Sequence, residues 1–218
     1  MPNLHKLFFI VFFGLFSVLT AATITSITSG DWDVPSTWDS APAIPTSADD
    51  VIIANGHTVT VPGSITAEML DITISLGGTL NGAEHFSILD VYGDWTNLGT
   101  FTTGSRNTVI FKGVGNQDVT PGGDEFNDLQ LINTGAPGSS IAISGNIDIN
   151  KNLTFTSGIL DLTDGVNPTV EIGGNVTIST GAVWTRGLGN VTFDGTSQTF
   201  SDGNASANNL GNVIVDEP

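Results

Sequence analysis

The feature that most restricts what this chain can fold into is an internal repeat. Thr108-Val109-Ile110-Phe111-Lys112-Gly113, then Gln117 and Phe126-Asn127-Asp128-Leu129-Gln130-Leu131, returns as Asn190-Val191-Thr192-Phe193-Asp194-Gly195, Gln198 and Leu210-Gly211-Asn212-Val213-Ile214-Val215. The offset is 82 residues at Gly113/Gly195 and 84 at Leu129/Val213. Self-similarity at a fixed period marks repeat architectures, and a unit of this length made only of short strands reads as several stacked coils.

The two copies also sort side chains by face. Val109 and Phe111 return as Val191 and Phe193, whereas Ile110 becomes Thr192 and Lys112 becomes Asp194. Side chains alternate along a strand, so Val and Phe point inward and the positions that tolerate polarity point to solvent. Leu129 and Leu131 match Val213 and Val215 in the same way. On this reading Lys112 and Asp194 are dispensable to stability and both Phe rings are not.

From Thr23 onward the chain has no helical apolar spacing. Short runs of Val, Ile, Thr and Phe alternate instead with Gly or Asn turns, among them residues 50–53, 58–61, 70–74, 147–149, 170–172 and 176–178. Such punctuation predicts strands at high density and almost no helix. A Gly-Asp/Asn pair precedes several strand starts, at Gly93-Asp94-Trp95, Gly145-Asn146-Ile147 and Gly174-Asn175-Val176.

The first 22 residues are different. Lys6 precedes an apolar run, LFFIVFFGLFSVL over residues 7–19, which ends in Thr20-Ala21-Ala22. This is the pattern of a secretory signal peptide cleaved after Ala22. The run is shorter than the roughly 20 residues that span a bilayer, so an uncleaved anchor is the lesser alternative. No similar run follows, and the mature chain is not expected to insert in a membrane. With 22 acidic against 5 basic residues the formal charge is −17, which excludes a phosphate-binding basic surface and hence nucleic acid as a partner. The chain has no Cys, so disulfide scaffolds, thiol catalysis and cysteine-ligated metals are excluded as well.

Residues 29–80 resemble the G8 domain, a β-rich extracellular module. The resemblance rests on Gly30-Asp31-Trp32, Pro35-Ser36-Thr37-Trp38, Pro45, Asp49-Asp50-Val51-Ile52-Ile53, Gly56-His57-Thr58-Val59-Thr60-Val61 and Gly78-Thr79-Leu80. Residues 90–218 resemble the tandem repeats of secreted, surface-attached proteins of the Bacteroidetes type, through Gly93-Asp94-Trp95-Thr96-Asn97, Gly99-Thr100-Phe101, Val109 to Gly113 and Phe126-Asn127-Asp128-Leu129. These resemblances imply an all-β chain folded as a right-handed parallel β-helix: a signal peptide (1–22), a G8-like module capping the solenoid (23–89) and solenoid repeats with the second copy truncated (90–218). They imply an exported, adhesin-like surface protein and carry no catalytic residues.

Chemistry-bearing residues are sparse. His57 sits in an Asn-Gly-His turn where packing accounts for it, and Glu84-His85 are neighbours whose side chains diverge on a strand. Polysaccharide lyases on β-helices neutralise a uronate with cations, but Arg106, Lys112, Lys151 and Arg186 are scattered. Asp31/Asp33 with Asp49/Asp50, and Asp124/Glu125/Asp128, are candidate Ca²⁺ ligands, although neither set matches an EF-hand or a calcium β-roll. No cofactor is expected. Trp32, Trp38, Tyr92, Trp95 and Trp184 are the candidates for stacking on sugar rings, with capping of the core as the alternative for Trp32 and Trp38. The expected function is a non-enzymatic structural or adhesive module whose partner is an extracellular polysaccharide or cell-surface ligand. The alternative is a polysaccharide-binding or polysaccharide-cleaving β-helix.

Overall fold

The structure is a computed structural model and describes residues 21–82, 86–163 and 167–216. The apolar run at residues 7–19, expected to be a signal peptide, and Glu84-His85 lie outside the described residues. The rest is a parallel β-solenoid with three faces per coil. The first face is the sheet that begins at Thr23–Thr25 and continues through Asp50–Ile53, Ile72–Ile74, Trp95–Asn97, Gln117–Thr120, Ser140–Ile143 and Ile159–Asp161 to Val183–Thr185. The second face has two sheets, Gly30–Asp31 to Thr100–Thr103 and Glu125–Phe126 to Asn212–Val215. The third runs from Thr66–Met69 to Phe200–Asp202. The first face crosses residue 89 without a break, so residues 50–89 share their sheets with the coils that follow. The described helix is a single 3₁₀ turn, Pro35–Thr37.

In-register partners lie one coil apart, for example Ile52 with Thr73, Thr73 with Thr96, Thr154 with Thr177 and Thr177 with Ser201. The step shortens between Ile141 and Leu160, where Gly158 alone joins Leu153–Ser157 to Ile159–Asp161. Its φ of 98° belongs to the left-handed region, which a residue without Cβ enters at no steric cost.

The alternation read from the repeat holds as far as Phe193, but Val213 and Val215, expected inward like Leu129 and Leu131, are corrected to exposed residues, because Asn212–Val215 is the last strand of its sheet among the described residues. Val109, Phe111, Leu129, Leu131, Val191 and Phe193 are buried and form one column with residues from Ile24 onward. The repeat does not, however, superpose coil on coil. Phe111 stands on the third face, between Val91 and Leu131, whereas Phe193 stands on the second, between Ile172 and Val215. An 82-residue offset spans between three and four coils, so the motif returns rotated about the axis.

What the repeat preserves is a corner. Gln117 Oε1 accepts the Gly113 N–H at 2.9 Å, while Nε2 donates to the carbonyls of Val91 and Gly93 one coil back, at 3.2 and 2.7 Å. Gln198 repeats all three bonds with Gly195, Ile172 and Gly174, at 3.0, 2.6 and 2.7 Å. A glutamine can do this because its amide carries an acceptor and two donors; the Val91 and Ile172 carbonyls also accept the N–H of Lys112 and Asp194, so the glutamine fills their second acceptor site.

Asn and Asp perform the matching task elsewhere. Asp71 Oδ1 accepts the Asp94 N–H and Asp94 Oδ1 the Asp118 N–H, at 2.7 and 2.8 Å. Asp128, Asn152 and Asn175 form a second ladder that accepts the N–H of Asn152, Asn175 and Thr199. The Gly-Asp/Asn echo in the sequence is the trace of such rungs.

Candidate functional site

The aromatic residues proposed for sugar stacking are for the most part inside. Trp32, Trp38, Trp95 and Trp184 are all buried. Trp32 and Trp38 meet edge to face at 5.0 Å, and Trp38 Nε1 donates to the Trp32 carbonyl at 2.8 Å. Trp95 centres an aromatic cluster with Phe101, Phe111 and Phe126. A ring without exposed faces offers a sugar no platform, so these four indoles are corrected to core residues. Tyr92 is half-buried, its hydroxyl 3.5 Å from Glu68 Oε1; burial pushes its phenol above the usual range.

Of the candidate Ca²⁺ ligands, Asp49, Asp124, Glu125 and Asp128 are bonded within the chain, whereas Asp50 Oδ1 is buried without a partner. Asp124 Oδ2 accepts from Asn97 Nδ2 and the Phe101 N–H, at 2.8 and 2.6 Å. Glu125 Oε2 accepts from Asn150, and Asp128 Oδ1 from Asn152. Asp49 Oδ2 accepts from the Thr46 N–H and hydroxyl. Among the described residues no group of three or more His, Cys, Asp or Glu is placed to hold a metal ion.

His57 meets Ser26: its Nδ1 lies 3.0 Å from both the hydroxyl and the carbonyl of Ser26. The pair does not resemble an accessible nucleophile and base. Ser26 is buried and its Oγ accepts the Ala54 N–H at 2.9 Å, so the contact ties the first coil to the second.

Two outward arrays carry charge. On the second face Glu125, Asp148 and Glu171 stand in register on consecutive coils. Desolvation, then the charges of Glu125, Glu171 and Asp194, push the Asp148 carboxyl up to about 6. On the third face Glu68, Asp90 and Ile110 stand in register, and Lys112 Nζ reaches diagonally back to Asp90 Oδ2 at 2.5 Å. Burial works against the Lys112 ammonium, but its bond to Asp90 and the charge there outweigh burial and hold it above the usual lysine range. The expectation that position 112 is a free outward site is thereby corrected: Lys112 neutralises a buried carboxylate, and Ile110 beside it is buried although it points outward. Sequence reading missed the pair because Asp90 lies 22 residues away, and only the coil length brings the two together.

A neutral cleft of about 500 Å³ lies where the coil is shortest. Residues 133–139 form one wall, Gly181 and Val183 the other, and Ser157, Gly158 and Ile159 the floor. No helix among the described residues is long and apolar enough to cross a membrane. No family model matches the chain, and comparisons with curated proteins and with solved structures give no match.

Proposed function

We propose that this chain is an exported, non-enzymatic structural or adhesive module of the cell surface. The observation that carries the reading is the use made of its outward polar residues. They stack as Asp, Asn, Gln and Thr ladders whose hydrogen bonds run from coil to coil, such as Asp71 to Asp94 to Asp118 and Asp128 to Asn152 to Asn175 to Thr199. Groups spent on holding neighbouring coils form a rod; chemistry requires instead a few acids and bases converging on one accessible point. The signal-like segment and the resemblances to the G8 domain and to surface repeats point the same way. An acidic exterior keeps such a rod soluble outside the cell.

A second reading, polysaccharide binding without cleavage, draws support from the cleft over Ser157–Ile159. It is lined by hydroxyl, amide and small apolar groups and carries no charge, a match for neutral sugar hydroxyls and C–H faces. One experiment separates the readings from catalysis. Purified chain is incubated with neutral and uronate-containing polysaccharides, with co-sedimentation reporting binding and new chain ends reporting cleavage. Absence of new chain ends agrees with the proposal, with co-sedimentation then favouring the polysaccharide-binding reading; turnover of any polysaccharide contradicts it.

A further inference from the structure

We propose that Lys112 and Asp90 become joined by an intramolecular amide bond between Lys112 Nζ and Asp90 Cγ, a covalent staple between two neighbouring coils. The geometry supplies the two reactants already in contact, at 2.5 Å between Nζ and Oδ2. Asp90 is buried, and its other oxygen, Oδ1, is also buried and has no hydrogen-bond partner. Its in-register neighbours are Glu68 on one side and the buried Ile110 on the other. A carboxylate in that position has lost its water without full compensation, a cost that an amide removes.

The step balances without any co-reactant. The ammonium passes one proton to the Asp90 carboxylate, giving a neutral amine beside a neutral acid. The Nζ lone pair then forms a bond to Cγ, the C–O bond breaks, and one water leaves with the second proton from nitrogen. The raised lysine value keeps the proton on nitrogen at rest, so its transfer to Asp90 is the step that activates the amine. Glu68 is the nearby carboxylate that can relay it: its charge acts on Lys112, and its Oε1 is within reach of the Tyr92 hydroxyl. Condensation in water is unfavourable between free molecules. Fixed proximity supplies effective concentrations of about 10⁵–10⁸ M that act against that balance, and the carbon attacked belongs to the buried Asp90 side chain.

The test is the intact mass of the folded, purified chain. The proposal expects the wild type to be lighter than its calculated mass by one water, with trypsin failing to cut after Lys112. The fragment beginning at residue 107 should then remain joined to the fragment that carries Asp90. Lys112→Arg should restore the full mass. Asp90→Asn should instead lose one ammonia, because the same attack on an amide expels that group. A wild-type chain at its full calculated mass overturns the proposal. So does a loss of water that persists in Lys112→Arg, which would mark a cyclised Asp elsewhere.

Discussion

Phe111 and Phe193 occupy equivalent places in the sequence repeat yet stand on different faces of the solenoid, Phe111 between Val91 and Leu131 and Phe193 between Ile172 and Val215. The repeat therefore encodes a strand and its glutamine corner, not a position around the axis. Both rings are buried, but their surroundings differ. Phe111 packs against Trp95 in the interior aromatic cluster, whereas Phe193 meets Phe200, itself 43% exposed, and the exposed Val215.

Replacing Phe111 by Ala should accordingly lower the main unfolding transition by about 3–5 kcal/mol, the usual cost of deleting a buried ring. Phe193→Ala should cost less and act locally, because a solenoid is held by nearest-neighbour contacts. Thermal melts with limited proteolysis check this. The expected pattern is a lowered transition for the first variant and new cleavage beyond about residue 170 for the second.

Counting only the ion pair with Asp90, Lys112→Ala should destabilise by about 1–3 kcal/mol, and the proposed amide would add to that. A fully buried pair would lose more, but the Lys112 side chain is 31% exposed and solvent screens part of the interaction. Asp194→Ala, at the repeat-equivalent position, is exposed and should stay within about 0.5 kcal/mol of wild type. Urea titrations of the two variants side by side test the contrast, and equal effects would contradict the role given to Asp90.

Asp148 makes stability depend on pH in an uncommon direction for a carboxylate. Its folded value of about 6 lies above the ordinary 3.8, so folding favours the protonated form. The stability this contributes is complete below the unfolded value and is lost as pH rises through about 6. Asp148→Asn should therefore match wild type near pH 4 and exceed it above about pH 6. Denaturation midpoints at the two pH values check the sign. A variant equally stable or less stable at the higher pH would show that burial and the neighbouring Glu125, Glu171 and Asp194 charges do not raise the Asp148 carboxyl.

Much of the fold is legible in the sequence. Val109-Ile110-Phe111 against Val191-Thr192-Phe193 identified the inward face, because substitution is tolerated only where the side chain leaves the core. The Gly-Asn pairs marked strand starts because their side chains receive the next coil's N–H groups. What could not be read was the coil length itself. The 82-residue offset conceals steps such as 21 residues from Ile52 to Thr73 and 19 from Ile141 to Leu160, and with them every cross-coil pair, including Lys112 with Asp90. The burial of the indoles is hidden in the sequence for a related reason. Composition shows that an aromatic residue is present, but only strand register shows that Trp95 faces Phe111 and not solvent.

The central claim is that consecutive coils stack in parallel and in register, and a chain without Cys allows a direct measurement. Thr154, Thr177 and Ser201 form one outward row on the third face, each a single coil from the next. Adjacent strands lie about 4.8 Å apart, within the Cα separation of about 4.4–6.8 Å that a disulfide accepts, whereas two coils span about 10 Å. Paired substitutions Thr154→Cys with Thr177→Cys, and Thr177→Cys with Ser201→Cys, should oxidise readily to an intramolecular disulfide in the folded chain, while Thr154→Cys with Ser201→Cys should not. Failure of both adjacent pairs, or cross-linking of the distant pair as readily as the near ones, would contradict the stack.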